Sequence, residues 1–138
     1  MKVAELMHAP VLTVDADHTV ADAVVTLADG HVSALPVVDG RGRLLGVLST
    51  TDILAATAEA DPERRADALE TPVRMLMSRR ALTINPDAGV REAAQQLLYA
   101  EVHRLFVTDQ GRVVGVVSST DVVRALATGA FARDGEQQ

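Results

Sequence analysis

Apolar positions along this chain change their period at regular intervals, and the changes come twice in the same order. Val3-Ala4-Glu5-Leu6-Met7 and Val73-Arg74-Met75-Leu76-Met77 each read as a helical turn, followed by a short extended piece at Leu12-Thr13-Val14 and Leu82-Thr83-Ile84. A longer helical stripe then begins, with Val20, Ala21, Val24, Leu27 and Ala28 after Thr19, and Val90, Ala93, Ala94, Leu97 and Leu98 after Pro86-Asp87. Two β-rich runs joined by a Gly-containing turn come next: Ala34–Val38 with Leu44–Leu48, and Arg104–Thr108 with Val113–Val117. After each pair a Ser/Thr cluster opens a helix, at Ile53-Leu54-Ala55-Ala56 and at Val122-Val123-Arg124-Ala125-Leu126. The order predicted for each half is strand, helix, strand, strand, helix.

The two halves also match residue by residue. Gly46-Val47-Leu48-Ser49-Thr50-Thr51-Asp52 and Gly115-Val116-Val117-Ser118-Ser119-Thr120-Asp121 are copies of one Gly-apolar-apolar-Ser-x-Thr-Asp pattern, and upstream Val14 pairs with Ile84, Val20 with Val90, and Leu35 with Leu105. The register slips by one residue between the turns Asp39-Gly40-Arg41-Gly42-Arg43 and Asp109-Gln110-Gly111-Arg112. Surface connections tolerate such insertions. The organisation expected is a first motif over 1–57, a charged connecting segment over 58–72 that turns helical from Pro62, a second motif over 73–128 and a polar tail over 129–138.

The repeated Ser-x-Thr-Asp is the part of the sequence that carries chemistry. A Ser/Thr cluster between strand and helix leaves backbone N–H groups at the positive end of the helix dipole, which suits a phosphate. Asp52 and Asp121 are acceptors for paired hydroxyls, the logic by which an acidic residue grips a ribose diol. The same spacing also forms a capping box, which stabilises the helix by about 1 kcal/mol and requires no ligand.

Composition removes other classes. At 138 residues, a chain buries about two-thirds of its unfolded surface and sustains a packed core. The absence of cysteine excludes disulfides, thiolate metal sites and a cysteine nucleophile. No run approaches the ~20 apolar residues of a membrane span, and Met1-Lys2-Val3 leads to Glu5 and His8 rather than a secretory run, so the cytoplasm is expected. The net charge of −6 opposes binding to a nucleic-acid backbone. With Tyr99, Phe106 and Phe131 as its aromatic residues, the chain has no stacking platform, and a base must rest between aliphatic walls. The histidines His8, His18, His31 and His103 lack the spacing of metal ligands, and Met7, Met75 and Met77 read as core filling. No Walker loop, GxGxxG sequence or nucleophile elbow is present, so catalysis is not expected.

Taken together, Leu12-Thr13-Val14, Leu35-Pro36-Val37-Val38-Asp39 and Gly46 to Asp52, with their counterparts Leu82-Thr83-Ile84, His103 to Asp109 and Gly115 to Asp121, resemble tandem cystathionine β-synthase (CBS) motifs. The resemblance spans nearly all of residues 3–127. It implies an α/β fold of two βαββα units related by pseudo-twofold symmetry, with clefts between their sheets. It implies a homodimeric regulatory module, with no required cofactor, that binds AMP, ADP or ATP, S-adenosylmethionine or NAD(H) and signals to a separate effector protein. An alternative within the same fold is a ligand-free dimerisation scaffold packed through its alanine-rich helices.

Carried over position by position, the resemblance assigns ribose to Asp52 and Asp121. Ser49 and Thr51, or Ser118 and Thr120, line the ribose and phosphate side, and Thr13-Val14 and Thr83-Ile84 border the adenine. Positive charge before the second strand meets phosphate in this family. His103-Arg104 stand there in the second motif and Ser33-Ala34 in the first, so unequal sites are expected, with phosphate recognised mainly through His103 and Arg104. Phe106 replaces the family's proline, kept here as Pro36, and is expected to add a ladder bond or to fill part of the cleft. Arg41, Arg43, Arg79 and Arg80 are also within the set that could approach a phosphate, but Arg41 and Arg43 sit in a predicted hairpin turn, where charge is more often simply solvated.

Overall fold

Val14, Val37 and Leu48 are apolar on the buried face of short β runs, and in the structure, a computed structural model describing residues 1–129, they pack beneath a helical stripe from Ala23 and Leu27. The strands are β1 (Val14–Asp15), β2 (Ala34–Val38) and β3 (Leu44–Ser49), in the order β1-β2-β3. β1 runs parallel to β2, and β2 antiparallel to β3. The second half repeats this with β4 (Thr83–Ile84), β5 (Arg104–Asp109) and β6 (Arg112–Ser118). The polar tail expected from residue 129 lies outside the described residues except for Gly129.

Each parallel pair is connected by a helix, α2 (Val20–Gly30) or α5 (Val90–Ala100), because parallel neighbours need a crossover. Thr19 caps α2: its Oγ1 accepts from the Asp22 N–H at 3.2 Å, while Asp22 accepts from the Thr19 N–H at 3.1 Å. Helices α3 (Thr50–Thr57) and α6 (Ser119–Ala127) follow the third strand of each sheet. The helical reading of the connection from Pro62 is met by α4 (Pro62–Glu70), with Asp61 as its cap and proline in its first turn.

The compact units are not the sequence repeats. One unit is continuous, Leu12–Ala81; the other joins Met1–Val11 to the chain from Leu82 onward. The first helical turn of the chain, α1 (Val3–Leu6), therefore packs with the second sheet, and Val3 is wholly buried with Ile84, Leu105 and Val117. The 3₁₀ turn Val73–Met75 packs with the first sheet, where Val73 is buried among Val14, Leu35 and Leu48. The anchoring bonds correspond: the Val3 N–H donates to Ala88 and the Val73 N–H to His18, both at 2.8 Å.

Gly46 and Gly115 are small because these segments pass over them. A Cβ on Gly46 would meet the Ser78 carbonyl and the Met77 sulfur; one on Gly115 would meet the Met7 side chain. Met7 and Met77 are half-buried against the cores, as expected of filling residues, but Met75 is 69% exposed and does not fill one. A one-turn helix buries only one side, and Val73 takes it.

Candidate functional site

Both copies of Ser-x-Thr-Asp fold as strand end and helix start. Ser49 caps α3: its Oγ accepts from the Asp52 N–H at 3.1 Å, and Asp52 Oδ2 accepts from the Ser49 N–H at 2.8 Å. Ser118 and Asp121 repeat this at the start of α6, at 3.1 and 2.8 Å. The capping box is thus real in both units, and it engages one oxygen of each carboxylate.

The other oxygen separates the two. Among the described residues Asp52 Oδ1 has no hydrogen-bond partner, and the side chain is half-buried. Asp121 is 4% exposed, and its Oδ1 takes a hydrogen bond from His8 Nε2 at 2.7 Å, with the Arg124 guanidinium 3.8 Å away. Burial pushes the Asp121 carboxyl up, but the hydrogen bonds from Ser118 and His8 outweigh it and hold the group below the usual carboxylate range. Glu5, His8, Asp121, Arg124 and Thr128 line a cleft of about 270 Å³ over this carboxylate.

His8 was not legible as a site residue, since its partner lies 113 positions away. Only the fold brings it there. His8 forms a backbone bridge with Val116 on β6, accepting at 3.0 Å and donating at 2.8 Å. The matching bridge in the other unit joins Ser78 to Val47, so a short hydroxyl stands where the imidazole does.

The remaining sequence-predicted residues fall into the same two groups. In the unit of Asp121, Arg104 is paired in register with Ser118, and the Ser119 N–H donates to the His103 carbonyl at 2.9 Å. His103 and Arg104 are exposed beside the start of α6, with Thr120 also exposed. In the unit of Asp52, Ala34 pairs with Ser49 and the Thr50 N–H donates to Ser33 at 2.9 Å; Thr51 is exposed. This end of the α3 unit presents no cation from its second strand.

Thr13 and Thr83 are exposed, whereas Val14 and Ile84 are buried in the cores. Thr83 lies opposite Phe106, whose N–H donates to the Leu82 carbonyl at 3.1 Å. That is the ladder bond expected from losing proline, and β4 begins one repeat position before β1 because of it. Arg41 and Arg43 are turn residues whose N–H groups donate to Asp39 Oδ1. Arg79 and Arg80 are exposed just beyond the Ser78 bridge. Among the described residues no three His, Asp or Glu side chains converge as metal ligands.

Comparison with known proteins agrees with this architecture. The family model for the CBS domain matches residues 3–59 and again 73–128. The chain is 32% identical over 130 residues to a CBS domain-containing protein of Dictyostelium discoideum, covering 90% of each. It also matches A-adding tRNA nucleotidyltransferase of Aquifex aeolicus at 28% identity, but spans only 14% of that protein. Among solved structures, CBSX2 in complex with AMP superposes with a TM-score of 0.77 at 28% identity, over 92% of this chain and 96% of that one. The CBS domain pair of MJ0100, in complex with 5′-methylthioadenosine and S-adenosylmethionine, gives 0.75 at 25% identity, over 93% and 97%. With two matched motifs, two three-stranded sheets and a Ser-capped aspartate in each, this chain belongs to the CBS-domain family and carries a tandem pair of CBS domains.

Proposed function

We propose that this CBS pair is a regulatory module that binds an adenosine-containing ligand, an adenine nucleotide before S-adenosylmethionine or NAD(H), and relays its presence to a separate effector protein. The observation that carries the reading is Asp52, whose Oδ1 is unpartnered at the N-terminal turn of a capped helix. It combines a carboxylate for a ribose hydroxyl with outward N–H groups and a dipole for phosphate. CBSX2 with AMP and MJ0100 with adenosyl ligands support this chemistry for relatives of the same fold.

The ribose and phosphate roles proposed for Ser49, Thr51 and Asp52, and for Ser118, Thr120 and Asp121, rest on that chemistry, as does the anion role of His103 and Arg104. Thr13 and Thr83 offer hydroxyls at the adenine side, while Val14 and Ile84 can contribute backbone only. We read the module as regulatory rather than catalytic and assign it to the cytoplasm; among the described residues no helix is long and apolar enough to cross a membrane. A homodimer is part of the proposal. Leu98 and Tyr99 on α5 are 79% and 95% exposed, and Val123 and Leu126 on α6 are also open, apolar surface of the kind that association covers.

A scaffold without ligand is favoured by one observation, that both aspartates already complete capping boxes. Thermal unfolding with AMP, ADP, ATP, S-adenosylmethionine or NADH separates the readings. A ligand specific to the folded state adds about 2.7 kcal/mol of stability at 100 times its Kd. A shift that Asp52→Ala removes supports the sensor; no shift with any of the five supports the scaffold.

A further inference from the structure

Asp52 and Asp121 occupy the same position of the same capping box, and each gives Oδ2 to the serine N–H. Their Oδ1 atoms differ. In one unit the atom is unpartnered; in the other an imidazole nitrogen sits on it at 2.7 Å, the distance of a strong charge-assisted bond. The hydrogen bond comes from the residue at the matching backbone bridge, His8 against Ser78, and Arg124 of α6 adds a guanidinium 3.8 Å from the same oxygen where the first unit has Ala55. The Ser78 hydroxyl is engaged locally, accepting the Arg80 N–H at 3.2 Å.

We propose that His8 is a specificity-determining residue that stands in for a ligand hydroxyl on Asp121, closing that site so that Asp52 is the carboxylate that takes ligand first. The inference rests on the adenosyl-binding reading above.

A ribose hydroxyl reaching Asp121 must displace a donor already in place, on a carboxylate that is almost wholly buried and cannot turn to solvent for compensation. His8 is itself held, since its backbone is fastened to Val116 by two hydrogen bonds. The cleft around the pair, about 270 Å³, is below the ~300–1,000 Å³ of small-molecule pockets. His8 is the hydrogen-bonding part of its lining that can leave: its side chain, like that of Arg124, is 66% exposed, whereas that of Asp121 is 5% exposed. The second repeat thus keeps its carboxylate but gives it an internal partner. His103 and Arg104 beside it then supply anion attraction to a site whose ribose acceptor is occupied, and Asp52 has the opposite combination.

Calorimetric titration with AMP tests this, using wild type, Asp52→Asn, Asp121→Asn, His8→Ala and the double variant His8→Ala/Asp121→Asn. Wild type is expected to take one equivalent that Asp52→Asn weakens more than Asp121→Asn does. His8→Ala is expected to gain a second equivalent, tighter by about tenfold or more than any second site in wild type, and lost again in the double variant. The reciprocal Ser78→His is expected to weaken the first equivalent. If wild-type binding persists in His8→Ala with no second equivalent, or depends on Asp121 and not on Asp52, this inference falls while the adenosyl reading stands. If neither wild type nor His8→Ala binds AMP, ADP, ATP, S-adenosylmethionine or NADH, both fall together.

Discussion

Two carboxylates made by one duplicated motif have come to stand in different surroundings, although the motif around them has hardly changed. Asp52 and Asp121 share the serine cap, the helix start and the glycine three residues before the end of the preceding strand. What gives one of them a second hydrogen-bond partner arrives from outside the motif, on a segment that the chain lays across β3 or β6, while Arg124 of α6 adds a charge 3.8 Å from Asp121. The glycine makes this possible by leaving room for the methionine of that segment, and the next residue then bridges to the strand, from where His8 reaches its aspartate. A repeat can therefore diverge in chemistry by changing one residue in a neighbouring segment. Ser78 leaves its carboxylate open, and His8 fills the other.

The largest effects are expected where the units should still be alike. Leu35 and Leu105 are equivalent, with 1% and 0% exposure, each at the centre of its core. Truncating either to alanine deletes a fully packed side chain and is expected to cost about 2–5 kcal/mol. Denaturant unfolding of Leu35→Ala and Leu105→Ala should give losses of similar size. A clear inequality would show that one core collapses around its cavity better than the other, and the structural equivalence of the repeats would not extend to energetics.

That equivalence was readable from apolar spacing and the doubled motif: both helical stripes, both hairpins and the helix after each Ser/Thr cluster lie where the pattern puts them. The one-residue slip in register was a real difference in hairpin length. Pairing Val14 with Ile84 and Leu35 with Leu105 needed no coordinates. The assignment of α1 to the second sheet and of Val73 to the first did not show, because a repeat in sequence carries no information about which copy its first turn packs on. His8 was hidden for the same reason. Its chemistry depends on a contact across 113 positions, and nothing local distinguishes a histidine that caps a carboxylate from one in solvent. Met75 misled because helical spacing was extended over a turn too short to have a second buried side.

The Asp121 pair should also be visible in acid. Its carboxyl is depressed in the folded state, through hydrogen bonds from Ser118 and His8 that exceed the effect of burial. A depressed group stabilises the fold fully above its unfolded value of about 3.9, and that contribution disappears as pH falls through the lower folded value. Asp22 and Asp39 shift in the same direction, from the Thr19 and the Arg43 backbone bonds first, so wild type alone does not isolate Asp121. The informative quantity is the difference between wild type and Asp121→Asn. Melting temperatures taken from pH 5 down to pH 3 should converge as the pH falls, because the variant has nothing left to protonate at that position. Curves that stay parallel would mean that the Ser118 and His8 bonds together do not favour the charged carboxylate in solution, and the contrast with Asp52 would lose its electrostatic part.

The smallest expected effect lies in the hairpins, where the repeats solved one problem with different residues. The β5–β6 turn is a two-residue connection with Gln110 at φ 53° and Gly111 at φ 82°, the left-handed pair that a tight hairpin requires. In the longer β2–β3 turn the left-handed position is Gly42, at φ 80°, and Asp39 braces the loop by accepting from the Arg41 and Arg43 N–H groups. Glutamine thus holds a conformation that costs a residue with a Cβ about 1–2 kcal/mol relative to right-handed backbone. Gln110→Gly removes that strain but adds freedom to the unfolded chain, worth about 0.5–1 kcal/mol in the other direction. The net gain expected is between about 0 and 1.5 kcal/mol, read as a small rise in the denaturation midpoint with an unchanged slope. A loss of stability would show that Gln110 contributes contacts that outweigh its backbone, so that the shorter hairpin is held by its side chain as the longer one is held by Asp39.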